Sequence, residues 1–185
     1  ASPWWTGLPP ALALTAAGLL AAAAFTATIG AAMQQAGLAT QAFRSLCIGM
    51  LVAALINACI AYLQVYAPHW VDGRWIANAV VEGRAVGNLR QSNHLCSILL
   101  WGIVAVAWLG ETRVLHRTLA NVFALALMGA VVLSSARSGI LGAMMLATWG
   151  LLDRRLSGRT RTLLLLAPIA YALLWSGAAA LAHQN

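Results

Sequence analysis

The chain has 185 residues, of which 62% are hydrophobic and only 8% charged, against about 25% charged in an ordinary soluble domain. Its mean hydropathy is +0.81, and no water-soluble fold of this length can cover so much apolar surface, so the composition points to an integral membrane protein. The net charge of +7 rests on eleven arginines and no lysine; most of the excess lies in short loops between apolar runs, as orientation signals do, which sets nucleic-acid binding aside.

Residues 1–10 carry Trp4, Trp5, Pro9 and Pro10, the composition of an interfacial anchor that leads into a helix with proline in its first turn. The first span is expected at about residues 11–33, rich in Ala and Leu and uncharged. After a polar break up to Arg44, a second span is expected at about 45–66. Inside it Asn57 stands out, and such a residue in a membrane helix usually bonds to a neighbouring helix. Residues 67–93 form the longest non-apolar segment, with Trp70 and Trp75 near its start and Asp72 and Glu82 as its acids; it is expected to be a mobile loop.

A third span follows at about 94–109. It is short for a bilayer core of about 30 Å, which needs roughly 20 residues, unless its polar first turn is counted with it. Residues 119–152 hold one charge, Arg137, and divide naturally into spans at 119–134 and 138–152 joined by a tight turn at residues 134–139. The loop DRRLSGRTR, 153–161, carries four arginines, and a last span is expected at 162–181. The reading is therefore an all-α, polytopic transmembrane helical bundle of about six spans, a single membrane domain over 1–185, with one outer loop of roughly 25 residues. The chain opens Ala1-Ser2-Pro3 without an initiator Met and without a basic leader, and is expected to be a fragment of a longer protein.

Seven arginines (44, 113, 117, 154, 155, 159, 161) fall on one side of this six-span arrangement and four (74, 84, 90, 137) on the other. By the positive-inside rule the first side is cytoplasmic, so the long loop and the Arg137 turn face outward. Cys47, Cys59 and Cys96 fall in or at apolar runs and read as small buried hydrophobes. The scattered histidines and cysteines have no metal-ligand spacing, and no metal or other cofactor is expected.

The densest polar cluster is RAVGNLRQSNH, residues 84–94, immediately before the third span. Arg84 and Arg90 are open to two readings, as solvated loop arginines beside Glu82 or as anion contacts. Gly83 and Gly87 allow a ligand close to the backbone. Ser92 and Asn93 are both good N-caps, and the amide end of the helix they start faces the same place. Arginines with a helix N-terminus suit a phosphate or diphosphate. Arg137, on a short turn near membrane depth, either snorkels or completes such an anion site. Gln91 and His94 lie three residues apart, on one face if the helix starts early, and His94 is a candidate acid–base group.

The motif GNLRQSNHL opening a span, with LSSARSGILG joining two spans about 40 residues later, resembles the bacterial O-linked protein oligosaccharyltransferases, the pilin glycosylation ligases related to O-antigen ligases and polymerases. The resemblance covers roughly residues 60–160. It implies a multi-pass inner-membrane enzyme with a periplasmic active face. Its members move a preassembled oligosaccharide from undecaprenyl diphosphate to a Ser or Thr hydroxyl of a periplasmic acceptor protein such as pilin, without a nucleotide sugar or metal. Arg90 and Arg137 would hold the diphosphate, joined as candidate substrate contacts by Arg84, Asn88 and Asn93, with Gln91 and His94 at the reacting centre. This chain has Ser92 where the family pattern usually has proline. The family's large periplasmic loop with its essential histidine is expected beyond the last span, so His183 does not stand for it and the fragment alone is expected to be inactive. Two alternatives stay open: a ligase or polymerase with a glycan or lipid A acceptor, and a membrane transporter fragment with its arginines along an anion path. The transporter reading predicts a polar face through several spans, whereas polarity here gathers at one surface.

Overall fold

The computed structural model of the chain describes residues 10–79, 81 and 83–182. The expected anchor at Trp4, Trp5 and Pro9, Glu82 and His183 lie outside them. The chain is an all-α bundle, and the described residues contain no strand. Its helices are α1 (Pro10–Gln35), α2 (Ala39–Tyr66), α3 (Ser92–Glu111), α4 (Arg117–Leu133), α5 (Arg137–Leu152), α6 (Gly158–Leu165) and α7 (Ala167–Ala182), with one 3-10 turn at Pro68–Trp70. Four segments are long and apolar enough to cross a membrane: α1, α2, α3 and the 23-residue stretch Gly158–Ala180. α4 is a shorter apolar helix, and α5 has 16 residues.

Contacts divide the chain into two compact units, Ala1–Ser45 and Leu46–Asn185. In the first, α1 ends in a Schellman turn. Leu38 N–H reaches Met33 O at 2.8 Å, Gly37 N–H reaches Gln34 O at 3.2 Å, and Gly37 sits at φ +71°, a left-handed position that only glycine adopts without cost. α2 then starts at Ala39, so Arg44 is a helical residue.

In the second unit α3 is the central helix. Leu95, Leu99 and Val106 are fully buried, and α3 packs on α4 and α5, while α7 packs on α4 and α5. Where lipid replaces water, close helix approach depends on small residues rather than on the hydrophobic effect. A methyl at Gly102 would collide with Ala54 of α2, and one at Gly129 with the Tyr62 hydroxyl. That hydroxyl donates to Ala126 O of α4 at 2.8 Å, so the bond from α2 to a neighbouring helix comes from Tyr62. Asn57, expected in that role, donates to Ala53 O of its own helix. Cys47 and Cys96 are buried as expected, whereas Cys59 is exposed on an outer face of α2.

Leu166 interrupts the last apolar stretch between α6 and α7 because Pro168 follows within two residues. Proline has no N–H to bond the carbonyl four residues back, so the helical ladder breaks here. The tail of α4 is closed differently. Ser135 takes φ +49°, and the Ser134 hydroxyl donates to Val131 O at 2.6 Å while accepting from Ala136 N–H at 3.3 Å. A hydroxyl thus stands where a direct amide-to-carbonyl bond would close a Schellman turn, and the chain reverses into α5 within three residues.

Candidate active site

The described residues of 67–91, the segment expected from sequence to be a mobile loop, make specific hydrogen bonds to one another and to α2. Asp72 Oδ1 accepts from the backbone N–H groups of Arg74, Trp75 and Ile76 at 3.0, 2.8 and 3.0 Å. These bonds, Ile76's foremost and then Trp75's, hold its carboxyl below the ordinary aspartate range. Asn88 joins the two halves of the segment, accepting from Ala77 N–H at 2.9 Å and donating to Trp75 O at 2.8 Å.

Gln64, in the last turn of α2, is buried under this segment. Its Oε1 accepts from Val86 N–H at 3.0 Å and Gly87 N–H at 2.9 Å, and its Nε2 donates to Ala77 O at 2.6 Å. Gly87 has φ +59°, and a Cβ there would lie 3.0 Å from Leu95 and 3.1 Å from Asn57 Oδ1. Both conformation and space therefore favour glycine here, in the turn that carries Arg90.

Arg84 links three elements. Its Nε donates to Ser134 O at the end of α4 at 3.3 Å, and its Nη2 donates to Ser92 Oγ at the start of α3 at 2.6 Å. Beside it, Ala85 N–H reaches Leu133 O at 2.9 Å, and the Cys96 thiol lies against Ser134 and Ser138. The polar stretch before α3 and the Arg137 turn, about 40 residues apart in sequence, thus share one end of the bundle.

The first turn of α3 differs from the sequence reading. Neither Ser92 nor Asn93 is the N-cap; Gln91 is, in extended backbone and without a side-chain cap bond. Ser92 is drawn one position into the helix because its hydroxyl is the acceptor for Arg84. The amides of Ser92, Asn93 and His94 are left without an acceptor among the described residues, as the first turn of a helix requires. The N-cap of α5, Ala136, likewise supplies no side-chain cap. Two uncapped helix starts therefore stand at this end.

Arg90, Gln91, Asn93, His94 and Arg137 are all exposed, and among the described residues none of their side chains has a hydrogen-bond or ion-pair partner. Arg90 sits at φ +55°; a non-glycine residue there costs about 1–3 kcal/mol and persists only where the surroundings impose it. Arg84 and Asn88, in contrast, are engaged within the protein.

A family model described as protein glycosylation ligase matches residues 85–109. No curated protein and no solved structure matches the chain. The matched segment is short, and it holds Gly87 to His94 together with most of α3. Among the described residues no three His, Cys, Asp or Glu side chains converge as metal ligands.

The residues missed from sequence are those whose part depends on distant partners. Gln64 reads as an ordinary interfacial residue near a span end. Ser134 contributes a carbonyl and a bridging hydroxyl. Gln64's place in the last turn of a span, facing a glycine-containing polar segment, was the one available signal.

Proposed function

We propose that the protein is an oligosaccharyltransferase that moves a preassembled glycan from undecaprenyl diphosphate to a Ser or Thr hydroxyl of a periplasmic acceptor protein. One observation carries this reading: the segment similar to protein glycosylation ligases coincides with the end of the bundle where Arg84 joins the start of α3 to the end of α4 and where the Arg90 and Arg137 side chains have no partner among the described residues. The similarity to a protein glycosylation ligase favours a protein acceptor over lipid A or a growing polysaccharide. The arginine bias between the two ends supports a site on the outer face of the inner membrane.

In the reaction the acceptor hydroxyl oxygen attacks the anomeric carbon, the bond from that carbon to the diphosphate breaks, and the lipid diphosphate leaves with the electron pair. Arg90, Arg137 and the free amides of the α3 and α5 starts hold the diphosphate and stabilise its growing charge. This interaction strengthens toward the transition state, so it accelerates transfer rather than only binding donor. The His94 imidazole takes the hydroxyl proton. Gln91 and Asn93 orient donor and acceptor through neutral hydrogen bonds. Arg84 and Asn88 act as positioning residues through their bonds within the protein.

The test is glycan transfer from lipid-linked donor to an acceptor protein by the full-length enzyme. Arg90→Ala and Arg137→Ala should each slow transfer by about 100-fold or more, the cost of removing one preorganised charge-stabilising donor. Wild-type transfer in both variants overturns the diphosphate assignment.

A further inference from the structure

The opposite end of the bundle carries a second polar site. A cavity of about 230 Å³ opens there between the end of α3 and the starts of α4 and α6, and its wall includes Arg113, Arg117, Arg159, Glu111 and Asn121. All three arginines are exposed, and none of their side chains has a hydrogen-bond or ion-pair partner among the described residues. Glu111, the one carboxylate in the wall, is already engaged. Its Oε1 accepts from Ser157 N–H at 2.9 Å, and its Oε2 accepts from the hydroxyls of Ser157 at 2.9 Å and Thr160 at 2.6 Å. Glu111 therefore fixes the 157–160 turn against α3 and aims Arg159 at the cavity; its one negative charge stays in the wall, and the three guanidinium groups leave that wall with an excess of positive charge.

Below the arginines the wall turns apolar. Asn121 and Leu163 also line an adjoining cavity of about 220 Å³, whose other walls are Ala124 and Met128 of α4 and Ala167 and Ala170 of the last apolar stretch. From Asn121 to Met128 the groove runs about 10 Å along α4, most of the depth of one leaflet's hydrocarbon core, about 15 Å. Orientation signalling requires only that arginines lie in loops on this side, a need that Arg154 and Arg155 already serve. It does not require three of them to share a cavity that continues into an apolar groove.

We propose that this is a binding site for an anionic membrane phospholipid. Its phosphate pairs with Arg113, Arg117 and Arg159, guanidinium being the side chain best shaped for bidentate phosphate contact, and one acyl chain lies in the groove between α4 and the last apolar stretch. The site lies at the other end of the helices from the proposed diphosphate site and does not depend on that assignment.

The experiment is native mass spectrometry of the delipidated protein in detergent, titrated with phosphatidylglycerol, phosphatidylcholine or inorganic phosphate. Phosphatidylglycerol should bind at least about tenfold more tightly than phosphatidylcholine, as expected for several arginines at an anionic headgroup. The triple variant Arg113→Gln, Arg117→Gln, Arg159→Gln should lose that preference. Ala170→Phe, which fills the groove and keeps every arginine, should weaken phosphatidylglycerol binding by a similar factor; it holds the test open if the triple variant does not fold. Equal binding of the two lipids, a preference that survives both variants, or displacement of phosphatidylglycerol by inorganic phosphate at equal concentration overturns the proposal, the last by showing a bare anion site.

Discussion

Replacing Gln64 with Leu removes a side chain of similar size whose polar atoms make three short bonds to buried backbone groups, Val86 N–H, Gly87 N–H and Ala77 O, besides a longer one to Gly87 O at 3.4 Å. Each buried group left unpaired costs about 1–3 kcal/mol. The sum is about 3–9 kcal/mol if the segment holds its shape, and relaxation with water entry brings it to the lower end, about 3 kcal/mol. All of these groups belong to the 77–87 segment, so the loss of pairing falls there first and not on the helix-to-helix contacts of the bundle. Hydrogen–deuterium exchange of a peptide covering residues 84–91 reads this directly. Local opening made easier by 3 kcal/mol speeds exchange of the Val86 and Gly87 amides by roughly 100-fold, while peptides from α3 and α4 keep wild-type rates. Unchanged exchange at 84–91, or equal acceleration throughout the bundle, would refute the clamp.

Arg84→Ala removes two charge-assisted bonds, each worth about 1.5–3 kcal/mol; it should lower thermal stability and raise exchange at both the start of α3 and the 134–136 turn, and a change confined to one of them would show that Arg84 does not couple the two. Arg90→Gly relieves the left-handed backbone strain but adds unfolded-state freedom, and the two nearly cancel. Stability in thermal denaturation should stay within about 1 kcal/mol of wild type while transfer by the full-length enzyme is lost, and a large loss of stability would contradict the solvent-facing position of its side chain. Asp72 should titrate below the usual aspartate range because its folded carboxylate accepts three amide bonds. With the folded value depressed, the order it lends the 72–76 turn is present above the unfolded value near 3.9 and is lost as pH falls through the folded value; Asp72→Ala should remove this acid-linked opening in exchange measured across that window, and its persistence would assign it to another group.

Much of the bundle is legible in the sequence because hydropathy and charge placement act locally. An uncharged Ala- and Leu-rich run has no alternative to a helix where the backbone must satisfy itself, and a polar stretch flanked by such runs marks a helix end. The stretch at 84–94 and the turn around Arg137 stand out for that reason, as do the arginines of 153–161. What composition cannot assign is which polar groups are consumed inside the protein and which remain for a ligand. Arg84 and Arg90 are the same residue six positions apart. One is spent on Ser134 and Ser92, and the other is held outward by a turn whose geometry Gly87 permits and Gln64 imposes from another helix. Ser92 is a good cap by type yet sits inside the helix, because an arginine eight residues earlier takes its hydroxyl. Hydrogen-bond partners across 8 to 50 residues settle these outcomes, and their identity exists only once the helices have packed. The span boundaries and the polar ends are thus determined by the order of residues along the chain; the division between scaffold and site is decided by tertiary contact.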